Sequence, residues 1–189
     1  MSDGFAGRLE RALGARAPAR RALPGLTSSA VLVPLFAPAD EALPHVWLVR
    51  RPERMRAHGG QVALPGGKRD DADADLQMTA LREASEEIGL APDAARILGR
   101  LDDYVTITGY VITPFVAWVD ASFVPAPQEH EVARAFAAPL DTFRVAGTPR
   151  PVIAGPFPYV APSYLVDGEV VWGATASILR GLAALAWPR

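Results

Sequence analysis

The sequence predicts a mixed β-sheet sandwiched by helices, an α+β chain of the α/β/α kind. Three observations predict it. Short apolar runs rich in β-branched residues dominate the middle of the chain, from residues 30–36 to residues 169–172. Two substantial helical patterns, over residues 73–89 and 175–186, lie outside those runs. The chain has 189 residues, 50% of them hydrophobic, which suits one domain with a packed core.

In chain order, residues 4–13, GFAGRLERAL, read as a short amphipathic helix capped by Asp3. Residues 14–28 are rich in Arg, Ala, Pro and Ser and read as a mobile linker. Residues 1–28 are therefore expected to form an N-terminal helix and arm, and residues 29–189 a single domain. Arg8, Arg11, Arg16, Arg20 and Arg21 raise the alternative of an organellar transit segment, against which Asp3 and Glu10 weigh. Residues 30–36 predict a buried strand made irregular by Pro34, and residues 45–51 the next strand. A basic loop, RPERMRAHGG, follows, and a short strand at 61–64 delivers Pro65-Gly66-Gly67.

Residues 95–100 predict a strand, and residues 104–119 a strand pair or one long bent strand, broken at Thr108-Gly109 and again at Pro114. Residues 121–128 are a loop, and 129–137 suggest a short turn or helix. The Pro-rich stretch 148–162 reads as irregular. Residues 164–166 and 169–172 flank Asp167-Gly168, a hairpin signal because both central positions of such a turn need positive φ. An apolar helix over 175–186 closes the chain.

Composition removes several function classes. A net charge of −2 gives no global basic field for nucleic acid. No apolar run is long enough to span a bilayer as a helix. With no cysteine there is no thiol catalysis, disulfide or cysteine-ligated zinc, which suits a cytoplasmic protein. His45, His58 and His130 lack the spacing of a zinc site.

The stretch LPGGKRDDADADLQMTALREASEEIGL, residues 64–90, carries the chemistry. Its helix is expected to start near Asp73 or Asp75 and to stop at Gly89. At about 100° per residue, Glu83, Glu86 and Glu87 fall within roughly a 100° arc, beside an apolar strip of Leu81, Ala84 and Ile88 that Met78 can extend. Glu83 and Glu87 repel at i,i+4, and Arg82 relieves part of that repulsion through Glu86. A hard divalent cation such as Mg²⁺ prefers such oxygen ligands, and Gly66-Gly67 let backbone groups approach the same point. An isolated EE pair is more often a solvated face; the glycines, the Arg-Glu step and the third glutamate together suit a metal site.

These residues resemble the Nudix box, G-x5-E-x7-R-E-U-x-E-E-x-G-U, where U is apolar. Gly67 matches its opening glycine, and Arg82, Glu83, Ala84, Glu86, Glu87, Gly89 and Leu90 match its second half. There are two departures. The gap from Gly67 to Arg82 is one residue longer than the pattern, and the first glutamate is missing from a loop that holds Asp70, Asp71, Asp73 and Asp75. The glutamate is usually structural in the family, so the departures imply a changed loop rather than a dead site. The resemblance implies the Nudix fold and dependence on Mg²⁺ or Mn²⁺, with Glu83, Glu86, Glu87 and the Gly67 carbonyl as ligands. Arg82 would orient a glutamate.

Upstream, RPERMRAHGGQVALPGG resembles the signature of the coenzyme A pyrophosphatase branch, R-[SA]-x3-R-x3-G-x3-F-P-G-G. Arg51, Arg56, Gly60, Pro65, Gly66 and Gly67 fit its spacing, while Pro52 and Leu64 replace Ser/Ala and Phe. EVARAF at 131–136 and VWGATA at 171–176 also look like this branch, and the resemblance spans roughly residues 30–182. It implies hydrolysis of coenzyme A or an acyl-coenzyme A to 4′-phosphopantetheine and adenosine 3′,5′-bisphosphate. Arg51 and Arg56, with Gly66 and Gly67, would hold phosphates; taken alone, such arginines more often serve simple solubility of an exposed loop.

Nudix enzymes take their general base from the box or from a distant loop. Glu131 is the distant candidate, and an ordinary carboxylate at a helix start is its equal reading. The expected partner is a small molecule, with no nucleic acid and no membrane, and the chain is expected as a monomer or homodimer. Two rivals remain: a Nudix hydrolase of ADP-ribose or a nucleoside triphosphate, and a non-catalytic Nudix-fold nucleotide-binding module.

Overall fold

One strand, β1 (Thr27–Phe36), touches most of the elements that matter for the site. The computed structural model describes residues 2–39, 41, 43–55, 58–152 and 159–188. Successive residues of a strand point to opposite faces, and β1 uses both. Ala30 and Leu32 bury on one face, Val33 and Leu35 on the other. A strand buried on both faces is expected to read as a continuous apolar run, as AVLVPLF does.

β1 runs parallel to β7 (Tyr110–Val119) and antiparallel to β2 (His45–Arg50) and β4 (Gly66–Lys68). β5 (Ala95–Arg100) and β6 (Tyr104–Val105) pair with β7, while β3 (Val62–Ala63) and β8 (Arg134–Pro139) pair with β2. The result is a mixed eight-stranded sheet. A smaller antiparallel sheet, ordered β11-β10-β9, is built from β9 (Thr148–Val152), β10 (Tyr159–Val166) and β11 (Glu169–Trp172). At its hairpin Asp167 and Gly168 both take positive φ, 51° and 77°, as that turn requires.

The helix α2 (Leu76–Ile88) covers one face of the main sheet, packing Ala80, Leu81, Ala84 and Ile88 with Ala30, Leu32, Phe115 and Ala117. Helices α1 (Ser2–Gly14) and α3 (Gly173–Ala186) cover the other, with Leu9, Leu13, Leu179 and Leu182 against Val33, Leu35 and Val116. Ile88 alone, fully buried, contributes roughly 2–3 kcal/mol of apolar burial. This is the α/β/α sandwich that the sequence predicts. Among the described residues no helix is long and apolar enough to cross a membrane.

Six local expectations need correction. β1 begins at Thr27, not Ala30, because Thr27–Ser29 add to the parallel ladder with Tyr110–Ile112. The segment read as a mobile linker is tied to the sheet: the Ala19 and Arg21 amides donate to Asp102 and Asp103, and Arg16 pairs with Asp102 at 2.8 Å. Pro114 does not break β7; its missing N–H is tolerated, while its carbonyl accepts from Leu101 N–H at 3.0 Å.

Residues 134–139 form β8 rather than a helix, with Phe136 and Ala138 buried at period two against β2. The Pro-rich stretch contains β9, where Pro149 and Pro151 sit on an edge strand that needs fewer N–H donors. On α2, Met78 is 44% exposed and Thr79 takes the buried position expected of it. Thr79 can be buried because its hydroxyl donates to Asp73 at 2.9 Å.

Candidate active site

α2 is cut to length by its ends. Asp75 is the N-cap, and its side chain accepts from Met78 N–H at 2.9 Å. Gly89 ends the helix with φ 70°, a left-handed turn that glycine adopts at little cost. Between them α2 carries Glu83, Glu86 and Glu87 past the glycine turn of β4.

Glu87 is buried, at 2% exposure. Its carboxylate accepts from Gly66 N–H at 3.0 Å and pairs with Arg51 at 3.5 Å. The Arg51 guanidinium also donates to the Gly66 carbonyl at 3.4 Å. Burial pushes the Glu87 carboxyl up to about 7, further than Arg51 and the Gly66 amide hold it down; the charges of Glu83 and Glu131 add to the rise.

Glu83 lies directly over Gly67. A Cβ on Gly67 would stand 2.5 Å from the Glu83 carboxyl carbon and 2.6 Å from one of its oxygens. Desolvation raises the Glu83 carboxyl as well, against the pull of Arg82. Glu86 is the most exposed of the three, at 53% for its side chain, and accepts from Arg82 Nη1 at 3.0 Å. Gly66 faces the other way: a Cβ there would lie 2.7 Å from the Val31 Cα of β1. The two glycines thus let one turn fit between a carboxylate and a neighbouring strand.

Arg82 is the hub of this face. Nη1 donates to Glu83 and Glu86, both at 3.0 Å, and Nη2 donates to the Lys68 carbonyl at 3.2 Å. Nε and Nη2 make a two-point contact with Asp73, each at 3.0 Å. Asp73 is buried at 6% and also accepts from Asp70 N–H and the Thr79 hydroxyl. These donors, Arg82 first among them, hold its carboxyl far below the usual range.

Asp73 is a residue that the sequence reading did not single out from its loop. Counted from Gly67 it occupies the place where the Nudix pattern puts its first glutamate, and that count was the signal available. The extra residue falls after it, before Arg82.

The loop after β7 returns to the same place. Ala126 and Gln128 amides donate to the carbonyls of Ile88 and Glu87 at the end of α2. This brings Glu131 close enough for its charge to act on both Glu83 and Glu87. Glu131 lies in a turn rather than starting a helix, so the helix-dipole reading of it fails. It is 41% exposed and pairs with His130 at 3.1 Å. Arg51 reaches the site; Arg56 lies outside the described residues.

Among the described residues, no three acidic or histidine side chains stand in the tight grouping of a finished coordination sphere. Arg82 and Arg51 supply the positive charge instead. The donor set still fits a hard divalent cation. It is all oxygen, and Glu87 is a desolvated carboxylate whose ionised form at neutral pH calls for more positive charge than Arg51 gives. Gly67→Ala is therefore expected to push the Glu83 carboxylate aside and weaken Mn²⁺ binding by about 10–100-fold, the range for losing a group that orients a ligand. Titration of Mn²⁺ by electron paramagnetic resonance checks this; unchanged affinity would remove Glu83 from the metal site.

Next to these glutamates opens a cleft of about 790 Å³. Gly66, Gly67 and Arg51 line it on the side of the glycine turn. Tyr104 and Tyr110 form one wall, Tyr159 and Trp172 come from the small sheet, and Met55, His58 and Gln61 come from the segment between β2 and β3. Tyr159 is partly desolvated, and burial first, then the Tyr104 hydroxyl, raises its phenol. None of these aromatic residues was picked out from the sequence, because they are scattered over four strands.

The NUDIX domain family model matches residues 26–152. With that match, the α/β/α sandwich and the glutamate helix beside its glycine turn, the chain belongs to the Nudix family. The Nudix hydrolase NudL of Citrobacter koseri is 37% identical over 158 residues, 82% of this chain and 80% of that protein. NudL of Yersinia enterocolitica is 34% identical over 193 residues and covers 97% of each chain. A NUDIX hydrolase structure from Alicyclobacillus acidocaldarius superposes with a TM-score of 0.54 at 24% identity, covering 63% of this chain and 81% of that one. A MutT/nudix family protein from Enterococcus faecalis gives 0.54 at 14% identity, covering 93% and 66%. The chain is a Nudix hydrolase, a pyrophosphohydrolase of the class that acts on nucleoside diphosphate derivatives.

Proposed function

We propose that the substrate is coenzyme A or an acyl-coenzyme A. One water cleaves the P–O–P bond to give 4′-phosphopantetheine and adenosine 3′,5′-bisphosphate. The observation that carries this reading is that the signature loop and the VWGATA stretch line one cleft, beside the glutamate helix. Arg51, Gly66 and Gly67 of the signature line it, and so do Trp172 to Thr175 of the VWGATA stretch.

Glu83, Glu86 and Glu87 would hold Mg²⁺ or Mn²⁺, with the Gly67 carbonyl beside them. When bound, such a cation neutralises the diphosphate and activates water. The chain's own residues do the rest. Arg82 fixes the rotamers of Glu83 and Glu86. Arg51, held between Glu87 and the Gly66 carbonyl, would offer its remaining N–H groups to a phosphate in the cleft. Glu131 would take the proton from the attacking water, and its partial exposure would let it pass that proton to solvent. The retained glutamates argue against a non-catalytic binding module.

Incubating the protein with coenzyme A and Mg²⁺ or Mn²⁺, followed by chromatography, tests the reading. Metal-dependent 4′-phosphopantetheine and adenosine 3′,5′-bisphosphate are expected, abolished by EDTA. Cleavage of ADP-ribose or a nucleoside triphosphate in place of coenzyme A would discard the substrate and keep the site.

A further inference from the structure

The described lining of the cleft contains no carboxylate, although it adjoins three glutamates. Its formally charged side chains are Arg51 and Lys68, with His58 beside them. Arg51 is engaged by Glu87, and His58 is engaged by Gln61 at 2.9 Å. Lys68 has no carboxylate partner among the described residues; the nearby acids Asp73, Glu83, Glu86 and Glu87 are taken by Arg82 and Arg51. Its ammonium instead lies 5.8 Å from the centre of the Tyr110 ring.

Strand geometry explains why Lys68 points there. β4 pairs with β1, Gly67 opposite Ala30 and Lys68 opposite Ser29. Successive strand residues face opposite sides. The Gly67 Cβ direction leads into the Glu83 carboxylate, so Lys68 leaves by the other face, toward the tyrosine wall of the cleft. The lysine is thus one residue from the glycine turn and yet turned away from the glutamates. An anion that it meets would lie on the tyrosine side of the sheet, offset from the point where Glu83 faces Gly67. Tyr104 and Tyr110 supply flat faces for a nucleoside on that side.

We propose that Lys68 is the specificity-determining residue that reads a phosphomonoester on the nucleoside half of the substrate. This rests on, and deepens, the coenzyme A reading, where that group is the 3′-phosphate. A phosphomonoester carries nearly two negative charges at pH 8, and a lysine with no carboxylate partner binds it as a point charge.

The test is calorimetric binding of adenosine 3′,5′-bisphosphate and of adenosine 5′-monophosphate, with Mg²⁺, to the wild type, Lys68→Gln and Lys68→Arg. The wild type is expected to prefer the bisphosphate by about 10–100-fold, the range for one charge-assisted contact. Lys68→Gln loses most of that preference through weaker bisphosphate binding, and Lys68→Arg restores it. A purely structural role would weaken both ligands together, and that result overturns the proposal. So does a preference that survives Lys68→Gln, or a wild type with none.

The same variants assayed on coenzyme A and dephospho-coenzyme A separate this from the substrate reading. A Lys68-dependent preference without coenzyme A hydrolysis keeps Lys68 and rejects the substrate. Hydrolysis of both coenzymes alike, unaffected by Lys68→Gln, keeps the substrate and rejects Lys68.

Discussion

Glu87→Gln is expected to lower kcat by roughly 10³-fold, the scale for removing a group that stabilises charge in the transition state, and at the same time to make the metal-free protein more stable at pH 8. The two effects have one cause. Glu87 is a buried carboxylate whose carboxyl is pushed from 4.5 up to about 7, mainly by desolvation. A raised acid favours the folded state while protonated. Between about pH 4.5 and 7 the folded chain binds more protons than the unfolded one, so this contribution is complete below 4.5 and is lost as pH rises through about 7.

Across that window the loss is on the order of 3 kcal/mol. Glutamine keeps an oxygen for the Gly66 amide but removes the charge and its pairing with Arg51. The net gain in EDTA at pH 8 is therefore smaller, about 1–3 kcal/mol, or roughly 3–10 °C in Tm for a chain of this size. Mn²⁺ should reverse the order, because it stabilises only a protein that binds it. Thermal melts of both proteins from pH 5 to 9, with EDTA and with Mn²⁺, check this. Near-normal turnover of the variant would remove Glu87 from the metal site; a variant less stable than wild type in EDTA at pH 8 would refute the burial account.

What the sequence made legible was local, and what it hid was brought together by the fold. The ends of α2 could be read because Asp75 and Gly89 act on their own backbone. The Asp167-Gly168 hairpin and the bounds of β5 were readable for the same reason. β8 was not, since RAFAAP has weak strand propensity and is held by six residue pairs to β2. β9 was hidden by its two prolines, which only an edge position tolerates.

The site divides in the same way. Glu83, Glu86 and Glu87 share one helix face and could be placed by periodicity. Glu131 was a candidate by motif, and the hydrogen bonds of the 126–128 segment to the end of α2 explain its approach. Asp73 was one of four aspartates in a loop; only its count from Gly67 marks it in the sequence, and the Arg82 contact shows what it does.

That contact carries the second large effect. Asp73→Ala is expected to cost about 2–4 kcal/mol, because it leaves a partly buried guanidinium without its two-point anchor. Arg82 then keeps Glu83 and Glu86 but loses the group that fixes its own plane. On the proposed assignment kcat falls by about 10–100-fold, the range for losing a second-sphere partner of a metal ligand, with a smaller change in KM.

The pH behaviour differs from that of Glu87. Asp73 has its carboxyl held far below 3.8, so its contribution is present above that value and is lost only as pH falls toward the depressed one. The stability difference between wild type and Asp73→Ala should therefore be constant from pH 5 to 8, where that of Glu87→Gln changes steeply. A double-mutant cycle with Arg82→Ala identifies the partner. If Asp73 acts through Arg82, the double variant costs about 2 kcal/mol less than the sum of the singles. Strict additivity would mean that Asp73 works instead through Thr79 and the Asp70 amide, fastening the loop to α2 rather than orienting the glutamates.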